Sequence, residues 1–309
     1  MANSSVAANS ILVTGSSGFV GLPLARQLAA AGRTVIGVDI KPPENQSASF
    51  TALTGSVCDA HLVHRLFAEH RFDAVVHCGG VSGPMVMPDN PHKECEINIV
   101  GTMHLLEAAR LHGVKRFVFC SSQSAYGETG GGPITEDTPF RPFNVYGATK
   151  AACDGLVRAY RVQHGLDGVS LRLGSVYGPG RSTLSLIGNI IGAAVAGQPL
   201  RLPGSGGQRV RYVYVDDVVS AVRGALAAPT LPLTGYNIGG PGSHTAEDIA
   251  QIVKARFPSA NISFENAAGD AMPERGPLDC SAAERDFGYR AQFDMARGIA
   301  AFADWMQSR

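Results

Sequence analysis

Short β-branched runs alternate with longer helical patterns along the first half of this chain, and that alternation constrains the fold more than any other feature. ILVT (11–14), TVIGVD (34–39), AVVH (74–77), RFVF (116–119) and VSLRL (169–173) read as strands. Between them, residues 18–31, 59–70, 94–112 and 145–164 carry apolar residues at three- and four-residue spacing and read as helices. Parallel strands need a crossover of about a dozen residues or more, and each helical stretch supplies one. The expectation is an α/β fold, a doubly wound parallel sheet with helices on both faces. Ligands then bind beyond the carboxyl ends of the strands.

After about residue 175 the regularity fades. A helix near 184–196, a strand RYVYV (211–215), a helix to about 227 and YNIGG (236–240) come next. TAEDIAQIVKARF (245–257) is amphipathic behind Thr245, a good N-cap, and a last helix lies near 293–307. The expected organisation is a short disordered tail over 1–10, a cofactor-binding domain over 11–175, and a smaller C-terminal α/β substrate lobe over 176–309. The chain is free to cross between the two.

Bulk properties remove several classes of function. Lys+Arg and Asp+Glu are both 26, so there is no electrostatic footprint for nucleic acid or an anionic membrane. The apolar runs are short and broken by Gly or charge, well below the length that spans a bilayer. MANSSVAANS has neither a basic nor an apolar stretch and does not read as a secretory signal. The 6 cysteines (Cys58, Cys78, Cys95, Cys120, Cys153, Cys280) form no CxxC. Several lie in apolar runs such as FVFC, which reads as buried small hydrophobes in a reducing cytoplasm. His61 and His64 share a helix face without an acidic or thiol ligand beside them, and no metal site is expected.

The first strand runs into TGSSGFVG, which places Gly15, Gly18 and Gly21 ahead of an apolar helix. Gly15 permits a tight turn, Gly18 lets backbone approach a pyrophosphate, and Gly21 lets the helix pack on the sheet. The helix start, around Phe19 and Val20, offers free N–H groups and a positive dipole end to phosphates. The second strand ends in Asp39, at the distance where a carboxylate grips the adenosine ribose hydroxyls. Together these point to a Rossmann-type dinucleotide site. A carboxylate repels a 2′-phosphate, which favours NAD over NADP, with Lys41 as a mild counter-argument.

FNVYGATK (143–150) sets Tyr146 and Lys150 one helical turn apart. Upstream, FVFCSSQSAYG places Ser121 and Ser122 at a strand end that faces the cofactor. TGxxGxxG, the Asp after strand two, the Ser near the end of the fourth strand and YxxxK together resemble the extended short-chain dehydrogenase/reductases. The resemblance is closest to the NAD-dependent sugar epimerases and dehydratases, and it extends through LRLGSVYGPG, RYVYVDDV, YNIGG and LDCSAAERDFGY.

The resemblance implies an enzyme in which Tyr146 is the general base on a sugar hydroxyl. A free phenol ionises only near pH ~10, so it needs a positive charge close by, and Lys150 supplies one. Lys150 would also hold the nicotinamide ribose, and Ser122 would hydrogen-bond the reacting oxygen, with Ser121 as fallback. Asn98 in EINIVGT matches a family Asn near the cofactor. The family also pairs protomers through the two helices here at 94–112 and 145–164, which implies a homodimer.

Reaction and substrate rest on the neighbours. Family dehydratases follow the Ser or Thr with an Asp-Glu pair, whereas this chain has Gln123 and Ser124, which disfavours dehydration. Nothing local separates epimerase from dehydrogenase; the resemblance, with its complete C-terminal lobe, implies a nucleotide-sugar 4-epimerase, with a net dehydrogenase of a free sugar, sugar acid or related alcohol as the alternative. A non-catalytic NAD(P) sensor is a remote third reading, since such proteins usually lack the Tyr-Lys pair. The substrate lobe departs from the family's diphosphate clamp. Val210 stands where an Arg is usual, Ser175 where an Asn is usual, and an Arg is missing near Gly269. Ser175, Arg181, Arg209, Arg211 and Arg275 are the candidates to rebuild that clamp or to bind a carboxylate.

Overall fold

The computed structural model describes residues 9–42, 50–183, 185–204, 206–265 and 276–309. In chain order the first part is β1 (Ser10–Thr14), α1 (Gly21–Ala30), β2 (Thr34–Asp39), β3 (Thr51–Thr54), α2 (Ala60–Glu69) and β4 (Ala74–His77). There follow α3 (Pro91–Cys95), a π-helical turn (Glu96–Val100), α4 (Gly101–Leu111), β5 (Arg116–Ser122), a 3₁₀ turn (Gln123–Ala125), α5 (Val145–His164) and β6 (Gly168–Leu173). The second part is β7 (Ser175–Tyr177), α6 (Leu186–Ala196), β8 (Leu200–Pro203), β9 (Tyr212–Tyr214), α7 (Val215–Ala227) and β10 (Gly235–Ile238). It closes with α8 (Ala246–Arg256), β11 (Ile262–Glu265), α9 (Ser281–Phe287) and α10 (Met295–Gln307).

The central sheet has 7 strands in the order β3-β2-β1-β4-β5-β6-β10, every pair parallel. It is the doubly wound parallel sheet that the alternation predicts. Strands β4, β5 and β6 are buried along their whole length, as a parallel sheet covered on both faces requires. One apolar layer packs α1 and α7 against the sheet; the other packs α2, α4 and α5 on the opposite face. Chain order reverses between β1 and β4, which opens a crevice at their carboxyl ends.

Several elements differ from the sequence reading. The seventh strand, β10, comes from beyond residue 175, so the sheet is completed by a return of the chain. β3 went unpredicted because TALT is an edge strand with mostly exposed side chains and no apolar alternation. The helix predicted over 94–112 is three pieces, with its π turn centred on Asn98. The predicted strand at 211–215 stops at Tyr214, and Val215 opens α7. Helix α9, two short strands of the lobe (β8 and β11) and β7 were also unpredicted. Residues 1–8 of the expected tail lie outside the described residues, and Ser10 already belongs to β1.

The lobe has its own core. Helices α6, α8 and α10 bury Ile187, Ile190, Ile249, Val253, Ile299 and Phe302 against Tyr177 and Tyr214. Helix α8 begins with a complete capping box: the Thr245 hydroxyl accepts from Asp248 N–H, and the Asp248 carboxylate accepts from Thr245 N–H. The β7–β9 pair joins the lobe to the end of β6, so the lobe is carried directly above the crevice.

Candidate active site

A cavity of about 440 Å³ fills the crevice at the β1–β4–β5 carboxyl ends. Its rear wall is the glycine turn, where Gly15, Gly18, Phe19, Val20 and Gly21 all line it. Gly15 has φ 67°, and a Cβ built there would stand 2.7 Å from Gly79 N, so both conformation and space demand glycine. A Cβ at Gly21 would stand 2.0 Å from the Gly15 carbonyl oxygen. Helix α1 starts at Gly21 behind Val20 with no side-chain cap; Leu22 N–H bonds the Gly18 carbonyl, and the backbone at Phe19, Val20 and Gly21 lines the cavity. Asp39 ends β2 beside this turn; its carboxylate accepts from Ser17 N–H (3.0 Å) and Lys41 N–H (3.2 Å).

The opposite wall carries the candidate catalytic residues. Asn144 caps α5 by accepting from Gly147 N–H at 2.8 Å, which fixes the first turn and with it Tyr146. Lys150 sits one turn on. Its Nζ donates to the Cys120 carbonyl at 2.9 Å and lies 5.9 Å from the centre of the Tyr146 ring. Ser121 and Ser122 both line the cavity. Ser122 Oγ accepts from Ser124 N–H at 3.1 Å, which leaves its own proton free to donate. Ser121 Oγ is buried with no partner among the described residues. Gln123 Nε2 donates to Ser175 Oγ at 3.1 Å, tying the 3₁₀ turn to β7 of the lobe.

Asn98 is placed differently from the sequence expectation. It does not line the cavity; it is buried behind it, with Oδ1 accepting from Val81 N–H and Nδ2 donating to the Val81 carbonyl and to Thr149 Oγ1. Thr149 in turn donates to the Tyr146 carbonyl at 2.8 Å. Asn98 therefore holds the first turns of α5 through Thr149, and its amide groups are already spent on protein partners.

The candidate substrate arginines divide. Arg181 lines the cavity, with Nε on Thr183 Oγ1 (3.0 Å), Nη1 on the Val176 carbonyl, and its guanidinium 5.9 Å from the Phe19 ring centre. Burial pulls its pKa below the ordinary arginine value. Arg209 is instead exposed, donating to the Ser243 carbonyl and pairing with Asp248 at 3.7 Å. Arg211 points to a separate hollow lined by Gly239, Cys280 and Tyr289, where its Nε has no partner among the described residues. Both lie in the segment just ahead of β9 and neither lines the cavity, so the expected role of Arg209 and Arg211 at this site is corrected. Arg275 lies outside the described residues.

Two cavity residues escaped the sequence reading in this role. Cys78 and Cys120, which the sequence reads as buried small hydrophobes, line the cavity and touch each other, Sγ to Sγ 3.4 Å. Their positions at the carboxyl ends of adjacent strands were the available signal. Among the described residues that line the cavity there is no Asp and no Glu.

The sheet order, the glycine turn and the Tyr-Lys-Ser wall define a dinucleotide-dependent oxidoreductase of the extended short-chain dehydrogenase/reductase type. The chain belongs to the NAD dependent epimerase/dehydratase family, whose model matches residues 11–239. It is similar to the dTDP-glucose 4,6-dehydratase of Xanthomonas campestris pv. campestris, 29% identical over 95% of this chain and 92% of the relative. It is also similar to the UDP-glucose 4-epimerase of Mycolicibacterium smegmatis, 31% identical over 96% of this chain and 98% of the relative. Among solved structures, a Thermus thermophilus UDP-glucose 4-epimerase complexed with NAD superposes with a TM-score of 0.85 at 30% identity, covering 96% of this chain and 98% of that one. The protein is an enzyme, and its cofactor is NAD. The residues present fit that cofactor: an uncapped helix start, a turn too close to Gly79 for any side chain at Gly15, and a carboxylate at the end of β2.

Proposed function

We propose that this enzyme is a nucleotide-sugar 4-epimerase. The observation that carries the reading is the composition of the cavity wall: Tyr146, Lys150 and Ser122 with no carboxylate among the described lining residues. NAD, when bound, supplies the group that takes up a hydride and gives it back. Tyr146 takes the proton of the sugar hydroxyl as the carbon is oxidised, and returns it when the ketone is reduced. The Lys150 ammonium lies one helical turn on, 5.9 Å from the centre of the Tyr146 ring. Ser122 donates its free proton to the reacting oxygen and holds the ketone while it presents its other face.

Removing water needs an acid and a base at the sugar, and the places where dehydratases keep them hold Gln123 and Ser124. Gln123 is buried and committed to Ser175, and neither side chain titrates usefully. This weighs against the dehydratase activity named for one of the relatives. For the substrate's diphosphate, Arg181 is the candidate arginine that lines the cavity, together with Ser175. The same reading makes the enzyme a homodimer in a reducing cytosol, which suits its free cysteines.

The test is to denature the purified protein, identify the nucleotide released, and incubate the native enzyme with a panel of sugars. Retained NAD, with an isomer formed and no net rise in the reduced-nicotinamide absorbance, is the expected result. Stoichiometric NADH from a free sugar or sugar acid would replace the epimerase with a net dehydrogenase.

A further inference from the structure

Strand register sets Cys78 and Cys120 side by side. β4 pairs with β5 up to His77 opposite Phe119, and the next step brings the two thiols into contact. Adjacent strands run ~4.8 Å apart, inside the ~4.4–6.8 Å Cα separation that a disulfide spans. Both thiols line the NAD cavity, so a small solute that enters it reaches them directly. Cys153, also buried, is engaged differently, with its thiol on the Asn98 carbonyl and Thr102 Oγ1.

We propose that Cys78 and Cys120 form an oxidisable thiol pair, a modification site where a hydroperoxide joins them in a disulfide that weakens NAD binding, and that bound NAD shields them.

The chemistry balances with the peroxide as sole oxidant. The Cys120 thiolate attacks one peroxide oxygen, the O–O bond breaks, and Cys120 becomes a sulfenic acid with release of water. Cys78 sulfur then attacks the Cys120 sulfur, the S–O bond breaks, and a second water leaves. Two thiols and one hydrogen peroxide give one disulfide and two waters. Cys120 is the attacking partner because the hydrogen bond from Cys78 holds its thiol below the ordinary range, with the Lys150 charge adding to the effect. The same contact, with burial, pushes Cys78 up.

The bond would be felt at both walls of the cavity. The sulfurs must close from 3.4 Å to ~2.05 Å. The Cys120 carbonyl holds Lys150, and Cys78 N–H is bonded to the Thr14 carbonyl at 3.2 Å, next to Gly79 packed on the glycine turn.

The experiment treats NAD-free protein with hydrogen peroxide, alkylates the remaining thiols, maps peptides, and measures NAD affinity by calorimetry. Expected are a peptide linking Cys78 to Cys120, NAD affinity lowered about tenfold, and full recovery with dithiothreitol. Saturating NAD present beforehand slows the linkage. Cys78→Ser and, separately, Cys120→Ala keep their own starting affinity through the same treatment. The proposal is overturned if both cysteines stay alkylatable while affinity falls, or if the link forms and affinity does not change. Linkage at an equal rate with NAD bound would overturn the shielding and, separately, the placement of NAD over this wall. Peptide mapping and calorimetry on the unaltered chain decide between these outcomes even where a variant misfolds.

Discussion

Tyr146 brings to the cavity a phenol that can both accept and return a proton, and its phenylalanine analogue keeps the ring and removes the oxygen. Tyr146→Phe is therefore expected to lower turnover by about 10²–10⁴-fold, the usual contribution of a positioned acid–base group. NAD retention should be unchanged, since Lys150 and the glycine turn remain. Steady-state kinetics beside a count of bound NAD per chain checks this, and full turnover by the variant would end the assignment. Tyr146 and Lys150 were legible from sequence because a helix fixes the offset between them. The arginines were not: whether Arg209 and Arg211 face the cavity depends on how the strand beside them is carried in the lobe, and each spacing is compatible with either direction. The Cys78–Cys120 contact was hidden for a similar reason, because it joins residues 42 apart through a register that only sheet pairing sets.

At the scale of elements, buried polar chains hold the wall formed by α5 and its neighbouring strands. Asp154 on α5 pairs with Arg172 on β6 at 3.0 Å, both nearly fully buried, and Arg172 also donates to Tyr126 Oη and the Glu136 carbonyl. Tyr126 Oη donates to Asn237 on β10 at 2.7 Å, so the network spans α5, β6 and the returning seventh strand. Arg172→Met strands the Asp154 carboxylate in the core and is expected to cost about 3–5 kcal/mol in denaturant unfolding. Asp154→Leu combined with it should recover most of that loss, which a double-mutant cycle reads directly.

A second chain runs through His77. Thr102 Oγ1 donates to the Asn98 carbonyl, so His77 Nε2–H must donate to Thr102 (3.0 Å) while Nδ1 accepts from Thr14 Oγ1 (2.7 Å). Burial first, and then the Lys150 charge, depresses the imidazole from 6.5 to about 3. Between those values the unfolded chain binds a proton that the native chain refuses, so stability is lost as pH falls from 6.5 towards 3. The slope from this one group is at most about 1.4 kcal/mol per pH unit. His77→Gln, which can still donate and accept, should flatten that acid limb in a pH series of melting curves; an unchanged slope would exclude His77 as its source. The alternation of strands and helices was readable from periodicity, but the π turn that carries Asn98 and leads into Thr102 on α4 was not, because its residues keep an ordinary helical pattern.

For the molecule as a whole, the outer face of the α4–α5 pair decides whether the expected homodimer forms there. The two helices are tied to each other by Tyr160 Oη donating to Glu107, whose carboxylate is held within α4 by its ion pair with Arg110. Outward from that seam, α5 presents Ala152, Gly155 and Val162 exposed, with Leu156 and Ala159 half-buried between them, and α4 presents exposed Met103 and Leu111. A stripe of small and apolar residues at helical spacing suits close packing of a second copy related by a twofold axis. Gly155 gives the sharpest test, because a Cβ there meets nothing within 4 Å in the monomer. Gly155→Arg should leave the monomer folded, and even improve local helix propensity by up to about 1 kcal/mol, while holding two copies of α5 apart. Light scattering is expected to give a dimer for the native chain and half that mass for the variant, with unchanged far-UV circular dichroism. A native monomer would refute the dimer, and a variant that stays dimeric would move the interface to another face. Because α5 also carries Tyr146 and Lys150, the comparison further shows whether the dimer steadies the catalytic helix: a monomeric variant with undiminished turnover means each active site is complete within one chain.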